Sequence, residues 1–342
     1  MTRPVVGGAP DADHPAVVAI VERRGGCDAP EVVRCTGELI APRVVLTAAH
    51  CLDDRRADEL EVVVGADLRG PAGAALAVQD AQVHPAYAPG VLDGGHDLAL
   101  LLLATPAAIA PLPLVDAPPP ELVVGATVRL VALGAPADHT DGGLRLAADA
   151  TVATVTATDV TTAGGGIPCG ADSGGAALLV TAGGERLIGA IKASGAGCAA
   201  PGYVTLIAGE RAGFIDPFVA MAATAPGSSR PPVAALDACG ATCTTVDDCP
   251  LGMLCLPDGD AARCGYRDVR TVDLGDACTT GDACVPVGQG AERTCRLAAP
   301  CAATPDPGCG CRSEPDPAAG VFLVAALVLR RRSRLAQRRP PS

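Results

Sequence analysis

The chain has 342 residues, enough for about two domains. A net charge of −12 and an aromatic content of only 2% exclude a nucleic-acid binder that works by phosphate attraction or base stacking. A hydrophobic content of 49% excludes intrinsic disorder over most of the length.

Residues 5–224 alternate short apolar runs with Gly, Pro and Asp turns. Residues 17–21, 44–47, 61–64, 98–103, 126–133, 176–180 and 187–191 read as strands. Runs this short, punctuated this often, predict an all-β sandwich or barrel. Residues 206–223 are the one predicted helix, with Phe214, Phe218 and Met221 spaced for one face. Residues 225–238 read as a linker that opens with three prolines and two serines.

Residues 239–301 hold nine of the 16 cysteines and an imperfect repeat. Cys243-Thr-Thr-Val-Asp-Asp-Cys249 recurs as Cys278-Thr-Thr-Gly-Asp-Ala-Cys284. Units this small depend on cross-links, so a disulfide module in an oxidising compartment is expected. No Cys-x2-Cys knuckle occurs and the last histidine is His139, so zinc does not account for the cysteines. Nor is any other metal or cofactor implied. Nine is odd, and Cys27 is unmatched in the first domain, which suggests a bridge from Cys27 to the module.

Residues 305–342 run from Cys309-Gly310-Cys311 through an apolar stretch at 318–329 to six arginines in the last thirteen positions. Twelve residues make about 18 Å of helix against a hydrocarbon core of roughly 30 Å. A processed sorting or anchoring signal fits better than a stable span. The sequence opens Met-Thr-Arg-Pro-Val-Val-Gly-Gly with no apolar leader, so an export signal is expected ahead of it.

Three strings carry chemistry: the run from Cys35 to Thr-Ala-Ala-His50-Cys51, Gly-Gly-His96-Asp97-Leu-Ala-Leu-Leu-Leu, and Cys169-Gly-Ala-Asp172-Ser173-Gly-Gly. A serine hydrolase needs a hydroxyl, an imidazole to take its proton, and a carboxylate to orient that imidazole. The three strings supply one of each. His14, His84 and His139 lack metal-ligand spacing, His96 reads as a loop residue, and Gly164-Gly-Gly166 reads as a turn.

Over residues 5–224 the chain resembles the chymotrypsin-like (trypsin-fold) serine proteases. The resemblance rests on the three strings, on Val5-Val-Gly-Gly, and on His84-Pro-Ala-Tyr87. Pro111-Leu-Pro-Leu114, Gly195-Ala-Gly-Cys198 and Pro201-Gly-Tyr-Val-Thr205 extend it. It implies two six-stranded antiparallel β-barrels and a short C-terminal helix, followed here by the small disulfide module. His50 would be the general base, Asp97 its orienting carboxylate and Ser173 the nucleophile. Ala171 and Ser173 would supply the oxyanion hole, and Cys35–Cys51 and Cys169–Cys198 the flanking disulfides. A cleavage by an activating protease would free Val5 to pair with Asp172.

Three departures stand out. Ala171 takes a position that is Gly in most relatives. Ala193 and Ser194 replace the usual Ser and Trp, removing a polar neighbour of the triad carboxylate. Ile167 forms the floor of a specificity pocket walled by Gly195 and Gly202, which implies an uncharged or apolar side chain before the cut. The tail resembles the myxobacterial C-terminal sorting tag (MYXO-CTERM), which implies sorting or export machinery as a partner. The expected protein is a secreted or surface-displayed serine endopeptidase acting on proteins or peptides, without nucleic acid. The alternative is a catalytically impaired homologue that serves as a surface binding or adhesion protein.

Overall fold

The computed structural model describes residues 5–23, 31–53, 55–68, 74–89, 96–134, 143–228, 230 and 238–266, with three later strands. Two closed six-stranded antiparallel barrels form within it. The first is built from β2 (Val17–Arg23), β3 (Glu31–Ala41), β4 (Val44–Thr47), β5 (Leu60–Val64), β6 (Ala74–Val83) and β7 (Ala99–Leu103). It closes in the order β2-β3-β4-β7-β6-β5. The second uses β8 (Thr127–Ala132), β9 (Leu146–Val155), β10 (Asp159–Gly165), β11 (Ala176–Thr181), β12 (Gly184–Gly195) and β13 (Ala199–Leu206). Pairing of β8 with β9 closes this ring, and the two-residue β1 (Ala9–Pro10) adds to β9 from outside.

The strands most legible in the sequence are buried on both faces. On β2, Val18 and Ile20 fill the first barrel while Val17, Ala19 and Val21 join a core shared with the second. On β4 and β7, Val45, Leu101 and Leu103 point inward and Val44, Leu46, Leu100 and Leu102 outward to the shared core. Double burial is why these strands read as unbroken apolar runs rather than as alternating ones.

The N-terminal segment is fastened to the second barrel by charge. Arg145 donates to Asp11 (3.0 Å), and the His14 ring bridges Asp11 (2.8 Å) and Glu185 (2.6 Å). Burial alone would lower the His14 pKa, but the two carboxylates more than offset it and hold the ring above its usual range.

The predicted C-terminal helix is shorter than the sequence implies. Leu206 ends β13, a wide turn spans Arg211–Ile215, and the helix α1 covers Asp216–Thr224 with a proline in its first turn. Phe214, Phe218 and Ala222 are buried, whereas Met221 is 41% exposed. The buried row follows i, i+4 spacing, and Met221 falls to its side.

Cys243–Cys255 and Cys249–Cys264 cross-link a small module around the hairpin of β14 (Leu254–Asp258) and β15 (Ala261–Gly265). Cys239 is disulfide-bonded as well. Met253 and Tyr266 pack with the cystines, and Leu251 packs against Ala77 of β6. The chain divides into two compact units, the first of residues 1–269 with 287–289 and the second of 270–286 with 290–342. The second contains a three-stranded antiparallel sheet of β16 (Arg270–Asp273), β17 (Asp282–Pro286) and β18 (Glu292–Leu297), with β18 central. Cys27, Cys278 and the tail at 305–342 lie outside the described residues.

One residue of the shared core is out of character. Glu38 on β3 pairs with Val17 and Leu46, is fully buried, and has no hydrogen-bond partner for either carboxyl oxygen among the described residues. Burial pushes its carboxyl well above the usual 4.5. The raised value means that no penalty operates below about 4.5, and that stability is lost as pH rises and the unfolded chain ionises. Glu38→Met is therefore expected to stabilise the fold by about 1–3 kcal/mol at neutral pH, with the gain shrinking towards pH 4.5. Denaturant melts at several pH values check this, and a destabilised, pH-independent variant would refute it.

Candidate active site

The first barrel brings His50 and Asp97 together through a single ladder. β4 and β7 are antiparallel with Thr47 opposite Ala99, so the exit of one and the entry of the other share an end. His50 follows in the 3-10 turn Ala49–Leu52, fastened to β3 by Cys35–Cys51, and Asp97 stands two residues before the start of β7. Asp97 takes the His50 ring Nδ1 at 2.8 Å and the His50 backbone N–H at 3.0 Å. The carboxylate can only accept, so Nδ1 carries the proton and Nε2 is left as the base. Burial pushes Asp97 upward, but the His50 hydrogen bonds and charge, with a contribution from the Lys192 charge, hold it below the usual carboxylate range. The His50 side chain is 33% exposed and that of Asp97 5%, so a substrate reaches the ring and not the acid.

Ser173 arrives from the second barrel, on the loop between β10 and β11. Its backbone is docked across the seam: Thr36 N–H donates to Ser173 O at 2.9 Å, and Cys51 Sγ lies 3.9 Å from the same oxygen. The next residue, Gly174, has φ +79°, and a Cβ there would collide with Thr47 Oγ1 and Thr36 O. Only glycine permits that approach. The Ser173 hydroxyl donates to Lys192 O at 3.4 Å.

Ala171 sits at φ +60°, a left-handed backbone that costs a non-glycine residue roughly 1 kcal/mol or more. A buried side chain from the first barrel holds it there. Thr36 Oγ1 accepts the Leu133 N–H (3.0 Å) and donates to Ala171 O (3.0 Å). Thr36 thus ties down both Ala171 and Ser173, and motif spacing carried no sign of it.

Asp172, between them, is fully buried and accepts three backbone N–H groups: Val5 (2.8 Å), Cys169 (2.7 Å) and Gly134 (3.1 Å). A Cβ on Gly134 would overlap the carboxylate. Burial outweighs these bonds and pushes Asp172 up to about 7. In the unbroken chain the Val5 donor is a peptide N–H.

The predicted pocket residues gather at one end of β12 and β13. Ser194 is paired with Gly202, and Gly195 lies one step further on opposite Ala199. A Cβ on Gly202 would come within 2.8 Å of the Pro168 ring. The backbone of Ile167, the adjoining residue, exchanges hydrogen bonds with Val6 (2.8 and 3.2 Å), and its side chain is part-exposed. Cys169–Cys198 ties this segment to the β12–β13 turn.

His84, His96 and Glu210 also converge. His84 Nε2 and His96 Nδ1 stand 2.9 and 3.1 Å from the two Glu210 oxygens, with the rings stacked 4.6 Å apart. His84 Nδ1 accepts the Ala86 N–H (3.2 Å), so Nε2 carries the proton and serves Glu210 as a donor. The cluster is a brace between the approach to Asp97 and the segment before α1.

Two barrels with an imidazole–carboxylate pair from one and a serine from the other define the architecture of a two-barrel serine hydrolase. The trypsin family profile matches residues 5–210, and the chain belongs to that family. It is 48% identical over 73 residues to coagulation factor XII of Bos taurus, covering 20% of this chain and 12% of that protein. It is 31% identical over 141 residues to hypodermin-B of Hypoderma lineatum, covering 40% and 46%. With brachyurin of Leptuca pugilator the identity is 34% over 112 residues, covering 32% and 48%. The chain thus spans less than half the length of each of these relatives.

The Thr36 side chain gives a direct test of how the Ala171–Ser173 segment is held. Thr36→Val leaves the Leu133 N–H and Ala171 O buried without partners, whereas Thr36→Ser keeps both bonds. Acylation of Ser173 by an activated ester is expected to slow about 10–100-fold in Thr36→Val and to stay near wild type in Thr36→Ser. Equal losses in the two variants would show that packing, not the hydroxyl, is what matters.

Proposed function

We propose that the protein is an exported serine endopeptidase that hydrolyses peptide bonds through an acyl-enzyme on Ser173. The observation that carries this reading is the Asp97–His50 pair, with the Ser173 backbone docked onto Thr36 of the same barrel and beside Cys51, the residue after His50. For the reaction the Ser173 hydroxyl must leave Lys192 O and bond His50 Nε2, a hydrogen bond that commonly tightens only once substrate is bound. His50 Nε2 takes the hydroxyl proton as Oγ attacks the scissile carbonyl, and returns it to the leaving amine. Water activated by the same nitrogen then releases the acid. The Ala171 and Ser173 N–H groups stabilise the oxyanion. Cleavage before Val5 by an activating protease converts the Asp172 contact from a peptide N–H to an ammonium, which compensates the buried carboxylate.

The pocket takes an uncharged, apolar side chain before the cut. Ile167 at its floor offers no carboxylate for Lys or Arg, and a Cβ on Gly202 would meet the Pro168 ring, so glycine is needed on that wall. The disulfides of both barrels and of the 238–266 module support an oxidising, extracytoplasmic location. Surface display would use the C-terminal tag. The second reading, an impaired homologue that binds rather than cleaves, draws on Ala171 in its left-handed conformation.

A fluorophosphonate probe separates the two readings. Protein beginning at Val5 is expected to be labelled at Ser173, and Ser173→Ala is expected to lose labelling and about 10⁶-fold in peptidase rate. In a peptide library, cleavage is expected after Ala, Val or Leu in preference to Arg or Lys. No Ser173-dependent labelling would leave the binding reading standing, and cleavage after Arg or Lys would overturn the pocket assignment.

A further inference from the structure

Asp97 aims its two oxygens at two donors, the His50 ring and the His50 backbone N–H, so the plane of the carboxylate matters as much as its distance. The Asp97 backbone is set by a three-residue turn in which the Leu98 N–H donates to His96 O at 2.8 Å. Leu98 O accepts the His84 N–H at 2.9 Å, which carries the β6–β7 ladder one step past Val83 and Ala99. The first residue of the turn, His96, has φ +62°. A non-glycine residue keeps this left-handed backbone only where its surroundings over-determine it. Here the His96 ring lies stacked on His84, which Phe214 meets edge-on at 4.7 Å. His96 Nδ1 is 3.1 Å from Glu210 Oε1, and the other Glu210 oxygen accepts the His84 Nε2–H at 2.9 Å. The His96 approach lacks hydrogen-bond alignment, so its hold is the carboxylate's charge on the ring together with the stack. Glu210 is itself fixed, at the end of the 3-10 turn Ala208–Glu210 with its N–H on Ile207 O.

We propose that Glu210 is a positioning residue of the active site, which clamps His84 and His96 together, keeps His96 left-handed and so orients the Asp97 carboxylate on His50. The inference rests on the endopeptidase reading. Glu210 acts through the chain, from His96 to its neighbour Asp97, and not through contact with the reacting atoms. Without the clamp the backbone at His96 relaxes to a commoner conformation, the bond from Leu98 to His96 opens, and the Asp97 carboxylate turns off one of its two His50 contacts. A displacement of about 1 Å in a catalytic group costs up to about 100-fold in rate, and a loosened turn falls within that range.

Fluorophosphonate labelling of Ser173 and peptide hydrolysis test this in the full protein begun at Val5. Glu210→Ala is expected to slow labelling about tenfold and to lower kcat to match, with KM changed less than about twofold. The low-field proton resonance of the His50 Nδ1–H is expected to broaden or vanish in the same variant, a signature that packing lost around α1 would leave in place. Asparagine accepts a left-handed backbone more readily than most residues. In a His96→Asn background the same Glu210→Ala change is therefore expected to cost less than about twofold. Should Glu210→Ala fail to fold, His96→Ala and His96→Asn carry the measurement. Both lose the imidazole, but only alanine resists the turn, so His96→Ala is expected to label at least about threefold more slowly than His96→Asn. Wild-type labelling in a folded Glu210→Ala, an equal cost in both backgrounds, or equal rates in the two His96 variants overturns the proposal. A wild-type protein that does not label overturns the endopeptidase reading itself, and this proposal with it.

Discussion

The buried Asp172 carboxylate is the contact on which the site depends. It is enclosed by N–H groups from three separate places in the chain: the N-terminal segment at Val5, the disulfide-bonded Cys169, and Gly134 just beyond β8. Each of those segments has its own fastening. Arg145 and His14 hold the N-terminal segment, Cys198 holds Cys169, and pairing of β8 with β9 and β11 places Gly134. A carboxylate so deep, at about 7 with only peptide donors, is electrostatically incomplete. The residues on either side of it are the two whose N–H groups would stabilise an oxyanion. An electrostatic deficit at Asp172 therefore bears directly on the geometry of Ala171 and Ser173.

The same seam explains why the first barrel controls a serine carried by the second. Thr36, buried in β3, bonds Ala171 through its hydroxyl and Ser173 through its backbone. Thr47, at the end of β4, donates to Thr36 O and fixes the β3–β4 end from which His50 departs. The two halves of the site are thus built from one end of one ladder. The shared apolar core, with β2, β4 and β7 buried on both faces, keeps that end in register with the second barrel.

Much of this was legible in the sequence, for a physical reason. Strands buried on both faces, such as β4, β7 and β11, announce themselves as apolar runs, and the three chemical strings sit in the loops at their ends. β9 and β10 are partly exposed and rich in Ala, Thr and Gly, so their local pattern is weak and their pairing is set by distant partners. Met221 was misplaced because helical spacing alone does not say where a helix begins. Thr36 was missed for a different reason. Its role is made by contacts over 97 or more residues, and nothing in its neighbours' identity marks it.

The central claim is that an ion pair at Asp172 completes an acylating serine site. Acyl-enzyme formation, counted as the burst from an activated ester, tests it most directly when protein beginning at Val5 is compared with protein retaining residues 1–4. The account predicts a burst of about one acyl group per chain on Ser173 from the first form, and one at least about tenfold smaller from the second. Equal bursts from the two forms, or none from the form beginning at Val5, would contradict it.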